Sequence, residues 1–152
     1  MPKDKIKVGI RGEFLVASKL SQLGYIVAPT LKNTPGIDLL VSDGFSAKLV
    51  QVKTTENAKA DWICSKPKKS NDDLVYIFVA LNVKAGKSAI PAYHIVPCPE
   101  LIKDINKQNA IYAKKHPKFA KSGKKGVQHF TDLKGKYNEE WKFLGLKKLY
   151  LA

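Results

Sequence analysis

Hydrophobic and polar positions along the chain switch between a helical and a strand-like period, and the switches lay out an order of elements. Between Gly12 and Leu23 the apolar residues Val16, Ala17, Leu20 and Leu23 recur at helical spacing, and Gly24 follows as a C-terminal stop. This spacing predicts a first helix. "YIVAP" (25–29), "GIDLLV" (36–41) and "KLVQVKT" (48–54) read as strands, the last two joined through the hairpin signal Ser42-Asp43-Gly44. "DLVYIFVAL" (73–81) is an almost unbroken apolar run, which predicts a central strand buried on both faces. "AYHIVP" (92–97) predicts a shorter strand, after which Pro99 suits the first turn of a helix reaching about Lys115. From Lys114 to Lys136 the chain is basic, glycine-interrupted and poor in apolar anchors, and reads as a long surface loop or arm. Tyr137, Trp141 and Leu144 return to helical spacing and predict a last helix docked on the body. Strands clustered between helices predict an α/β sandwich around a mixed sheet flanked by helices.

A length of 152 residues fits a single domain, 1–152, able to bury a core without disulfides. No apolar run approaches the roughly 18 to 20 residues of a membrane span, and the start, Met-Pro-Lys-Asp-Lys, has no apolar signal region. Cys64 and Cys98 lie far apart and outside any C-x-x-C spacing, as expected of two reduced thiols in a soluble, cytoplasmic protein.

Charge narrows the class of partner. Lys and Arg number 27 against 13 Asp and Glu, a net charge of +14, which predicts a polyanion and nucleic acid in particular. Arg11 is the sole arginine. Lysine is a point charge suited to phosphates more than to guanine edges, so backbone contacts should dominate affinity. The candidates are Lys32, the cluster "KPKK" with Lys66, Lys68 and Lys69, the cluster "KSGKK" with Lys121, Lys124 and Lys125, and His129. Solvated surface lysines are the competing explanation for part of this charge. "KAGK" (84–87) lacks the pattern of a phosphate-binding loop and reads as a hairpin tip. His94 reads as structural, and Trp62 and Trp141 as core or interface anchors.

Candidate chemistry begins in "KLVQVKT", where Gln51 and Lys53 share one strand face while Val50 and Val52 form the other. An edge strand showing polar residues to water is the simple explanation. If the hairpin folds about Gly44 and Phe45, however, paired positions sum to about 89 and Asp38 stands opposite Gln51. Asp38, Gln51 and Lys53 would then project together, and a slip of one residue would separate them. Glu13 lies three and four residues before Val16 and Ala17, on the apolar stripe of the first helix, so it should face the sheet. Complementing the helix dipole is its alternative role. Two carboxylates and a backbone carbonyl, that of Val52, can hold Mg2+, with Mn2+ as a second possibility. A divalent cation makes water more acidic, and a nearby lysine can orient that water or take its proton, which assembles phosphodiester hydrolysis.

"Pro35-Gly-Ile-Asp38", a hairpin, "Gln51-Val-Lys53" and a preceding "Gly12-Glu13" together resemble the PD-(D/E)XK nuclease superfamily, with its restriction-endonuclease-like sandwich. The resemblance implies metal-binding roles for Asp38 and Glu13, a catalytic role for Lys53, and a place in the metal shell for Gln51, where the superfamily usually carries an acid. The small basic domain is most similar to bacterial intron-encoded homing endonucleases of this fold. That implies a Mg2+-dependent, site-specific endonuclease acting on double-stranded DNA. Junction resolvases and restriction-type nucleases share the motif order, and a DNA-binding module that has lost catalysis is the non-enzymatic alternative. One catalytic centre reaches one strand, so a double-strand break predicts a homodimer or higher symmetric oligomer.

Overall fold

The computed structural model describes residues 2–31, 34–82, 89–123 and 126–147. Five strands form one mixed sheet: β1 (Ile26–Pro29), β2 (Leu39–Ser42), β3 (Ala47–Thr55), β5 (Leu74–Ala80) and β6 (Ala92–Pro97), in the order β1-β2-β3-β5-β6. Only the β3–β5 pair is parallel. β4 (Asp61–Ile63) and β7 (His129–Thr131) pair separately as a short antiparallel ribbon. α1 (Pro2–Gln22) covers one face of the sheet, and α2 (Cys98–Lys115) and the ribbon cover the other. A short α3 (Pro117–Lys121) follows α2. No helix among the described residues is long and apolar enough to cross a membrane.

The central strand shows why this is a sandwich. Along β5, Val75, Ile77 and Val79 pack with Val16 and Leu20 of α1, while Tyr76, Phe78 and Ala80 pack with Leu101 and Ile105 of α2. With both faces covered, the apolar run has no exposed side on which to show alternation. β3 is covered less completely. Val50 is fully buried beneath α1, but Gln51 and Lys53 on the opposite face remain half-buried.

Three expectations need correction. α1 starts at Pro2, ten residues before the apolar stripe becomes legible. Ile6 is 62% exposed and, among the described side chains of this part of the helix, Val8 alone packs against the core, too little for a periodic signal. The segment 114–136 is not a continuous loop, because it holds α3 and β7, and Phe130 of β7 is fully buried against Trp62 and Phe78. A three-residue strand is too short to show a period. The last helix reduces to a 3-10 turn, Trp141–Leu144, closed by Gly145 at φ 72°. Its anchors Trp141 and Leu144 are buried as expected, but Tyr137 precedes it in a turn, and its hydroxyl donates to Asp104 Oδ2 at 2.6 Å.

His94 is buried and pairs through Nδ1 with Asp132 Oδ2 at 2.6 Å. The Asp132 carboxylate also accepts the Lys136 and Tyr137 N–H groups, which ties the C-terminal strap to β6. The β2–β3 hairpin has a similar clasp. Asp43 accepts N–H bonds from Ser46, Phe45 and Lys147, and these hold its carboxyl below the usual carboxylate range. That clasp fixes the turn on which the β2–β3 register depends. The tip "KAGK" (84–87) lies outside the described residues.

Candidate active site

α1 reaches the sheet unusually closely at one point. A Cβ placed on Gly12 would stand 1.8 Å from Thr54 Oγ1 and 2.9 Å from both Thr54 Cβ and Cγ2, so only a residue without a side chain lets the helix cross β3 here. Glu13 follows directly on the helix and is half-buried. It lines a cleft of about 340 Å3 between α1 and the chain leading into β2, and Asp38 lines the same cleft. Residues 25 positions apart are thus brought to one site by the packing of the helix on the hairpin.

Asp38 is held by β3 on one side and by Thr30 on the other. Its N–H donates to Val50 O at 2.8 Å, and its carbonyl accepts the Thr30 N–H at 2.9 Å. The next ladder bond comes from its side chain: Oδ2 accepts the Val52 N–H at 2.7 Å. In the β2–β3 ladder Leu39 faces Val50 and Leu40 faces Leu49, each pair summing to 89 as the sequence predicts. The paired ladder ends at Leu39, and Asp38 departs from it by bonding Val50 and Val52, the two neighbours of Gln51, instead of Gln51 itself. Gly36, at φ +72°, turns the chain just before Asp38, in a conformation that disfavours any side chain. A Cβ there would lie 3.9 Å from Gln51 Oε1, which places the Gln51 amide oxygen beside this turn.

Lys53 lies one alternation further along β3, level with Phe78 of β5. Burial pushes the Cys64 thiol up to about 11, with the nearby Lys53 ammonium pulling the other way. At neutral pH Cys64 is therefore a protonated thiol. Among the described residues no group of three or more His, Cys, Asp and Glu side chains could together hold a metal ion. Any cation between Glu13 and Asp38 would need neutral oxygens to complete its shell.

The basic candidates are scattered more widely. Lys66, Lys68, Lys69 and Lys121 are exposed. Lys66 Nζ donates to Asn106 Oδ1 at 2.9 Å, and its N–H donates to Gln128 Oε1 at 2.7 Å, which ties this loop to α2 and to the approach to β7. His129 turns Nδ1 to Asp61 Oδ1 at 2.9 Å. Lys32, Lys124 and Lys125 lie outside the described residues. Thr30 has no counterpart in the sequence reading: its clamp on Asp38 joins residues in separate elements, and no local spacing announces it.

No protein-family model matches this sequence, and no curated protein does. Among solved structures, the bacterial homing endonuclease I-Ssp6803I aligns with a TM-score of 0.54 and 13% sequence identity, covering 91% of this chain and 91% of that one. The likeness is one of fold: this chain shares an α/β architecture, a mixed five-stranded sheet flanked by helices, with a bacterial homing endonuclease.

Proposed function

We propose that the protein is a divalent-metal-dependent endonuclease of the PD-(D/E)XK type that hydrolyses phosphodiester bonds in double-stranded DNA, site-specifically in the homing manner. The observation that carries this reading is the convergence of Glu13 and Asp38 on one cleft, with the Gln51 amide oxygen beside the Gly36 turn that leads into Asp38. Carboxylate and amide oxygens are hard donors and suit Mg2+ or Mn2+, so the ligands would be Glu13, Asp38, the Gln51 amide and the Val52 carbonyl. When bound, the cation supplies Lewis-acid stabilisation of charge on the phosphoryl oxygens. Asp38 is set for this role by the Val52 N–H, which occupies Oδ2 and fixes the orientation of the carboxylate. In this reading the Lys53 ammonium orients the attacking water, whose proton passes to solvent, and its charge stabilises the phosphorane-like transition state. The buried, reduced thiols Cys64 and Cys98 suit a protein acting in the cytoplasm.

The test is incubation with supercoiled plasmid and Mg2+ or Mn2+, with EDTA as control. Metal-dependent nicking or linearisation supports the reading. Gel-shift binding with no cleavage in either metal would favour an inactive DNA-binding module, the alternative for which the amide at Gln51 speaks.

Gln51 gives a sharper prediction. Gln51→Glu should retain cleavage with a changed dependence on Mg2+ or Mn2+, whereas Gln51→Leu, which fills the same space without an oxygen, should lose about a hundred-fold or more. Cleavage measured against metal concentration separates the two roles. Unchanged metal curves in both variants would make Gln51 an ordinary half-buried polar side chain, since β3 is the middle strand of the sheet and not the edge strand that the simple explanation required.

The same reading includes a symmetric homo-oligomer on DNA, a homodimer or larger, with affinity falling steeply as salt rises because lysine-bound phosphates release counterions. Sedimentation of the DNA complex and binding measured across a salt series check both points. A monomer on DNA or a flat salt response would contradict them.

A further inference from the structure

Away from Glu13 and Asp38, the chain carries a second cavity, of about 680 Å3, between α2, α3 and β7. It falls within the roughly 300–1,000 Å3 typical of small-molecule sites. Aromatic side chains form part of its wall: Tyr112 is 51% exposed and Phe119 38%. The Tyr112 ring lies 4.3 Å from that of His116 and meets Phe119 edge-on at 5.8 Å. Phe119 in turn packs against the backbone at Gly126, where a Cβ would come within 3.2 Å of its ring.

The charge around this cavity is segregated. From residue 105 to residue 131 the sequence contains no Asp or Glu, while Lys107, Lys114, Lys115, Lys118 and Lys121 are all exposed. Asp61, on β4, meets the cavity through its bond to the lining residue His129. The lining amides are largely committed to the wall. Gln108 bonds Thr131 through both its amide oxygen and nitrogen, and Gln128 Oε1 accepts the Lys66 N–H. The main surfaces left for a guest are rings, bordered by ammonium groups. Planar, sequence-tolerant stacking beside bound phosphates is the chemistry of single-stranded nucleic acid binding. The cavity also lies on the sheet face of Lys53, which stands level with Phe78 on the face covered by α2 and the β4–β7 ribbon.

We propose that this cavity takes one unpaired nucleobase of a DNA strand, stacked on Phe119 and Tyr112, while Lys114, Lys115, Lys118 and Lys121 hold the neighbouring phosphates. The proposal rests on the endonuclease reading for the identity of the polymer. It adds that the protein engages locally unpaired or branched DNA more tightly than a perfect duplex.

The test is binding in EDTA to two labelled duplexes of one sequence, fully paired or carrying a single unpaired 2-aminopurine. The unpaired site should bind about five- to a hundred-fold more tightly, and its fluorescence should be quenched by ring stacking. Phe119→Ala and Tyr112→Ala should remove the preference with an unchanged circular dichroism spectrum, Tyr112→Phe should keep it, and Lys118→Gln should weaken both duplexes alike. Equal affinity for the two duplexes, an unquenched base, or a preference that survives Phe119→Ala overturns the proposal. So does a Phe119→Ala variant whose only change is a different oligomeric state, because the cavity would then seat protein. Plasmid cleavage without a preference for the unpaired base would sink this inference alone, and the preference without metal-dependent cleavage would sink the endonuclease reading alone. No DNA binding at all would sink both.

Discussion

Asp38→Asn is expected to lower metal-dependent cleavage by about a hundred-fold or more while the protein stays folded and bound to DNA. The structure selects asparagine over alanine for this test. Asp38 Oδ2 accepts the Val52 N–H at 2.7 Å, and an asparagine oxygen can keep that bond while the charge is lost. Alanine would strand the N–H in a partly buried ladder at a cost of about 1–3 kcal/mol, so a loss of cleavage could then reflect a loosened hairpin. In EDTA the Asn variant should bind DNA as tightly as the parent or tighter, since a carboxylate facing phosphates is repulsive once no cation lies between them. Lys53→Met should also abolish cleavage, because it keeps most of the stem and removes the ammonium. The Met variant has a second readout: with the Lys53 charge gone, the Cys64 thiol should titrate higher still than about 11. Cleavage at the parental rate by Asp38→Asn, with clean metal dependence, would remove Asp38 from the site.

Gly12→Ala should destabilise the protein, although alanine is the better helix former by about 1 kcal/mol. The new Cβ would stand 1.8 Å from Thr54 Oγ1 and 2.9 Å from Thr54 Cβ. Turning the threonine side chain cannot clear a contact with its own Cβ, so helix and strand must separate. Overpacking of this kind costs about 1–3 kcal/mol, and a chain of this length loses roughly 2–4 °C in Tm per kcal/mol. Cleavage should fall further than stability does, because separating α1 from β3 carries Glu13 away from Asp38. Thr54→Ala in the same chain removes the two outer atoms and should restore part of both. Thermal unfolding of the single and double variants tests the contact, and a Tm at or above the parental value for Gly12→Ala alone would refute it. Thr54→Val should be neutral or slightly stabilising, since Thr54 Oγ1 is buried with no hydrogen-bond partner among the described residues.

The chain alone specifies those elements whose signal is long and periodic. The β5 run, the β2–β3 hairpin with pairs summing to 89, and the stripe Val16–Leu20 can be read because each buries apolar surface at a fixed local spacing. The turn fixes the pairing of the strands it joins only as far as Leu39 opposite Val50; Asp38, expected opposite Gln51, bonds Val50 and Val52 instead. Other features have no local signature. The ten residues of α1 before the stripe carry almost no apolar period, and the three-residue strands of the β4–β7 ribbon and the single 3-10 turn near the C-terminus are held by contacts between distant segments. The cleft is a result of the same kind. Glu13 shares a cleft with Asp38 because a helix crosses a strand at a glycine, and Asp38 is oriented by Thr30, just beyond β1, and by Val52 of β3. Sequence spacing carries the one-dimensional period of a buried face, whereas the distance between two faces depends on how layers pack, and that is where the carboxylates, the Lys53 charge beside Cys64 and the aromatic cavity take their places.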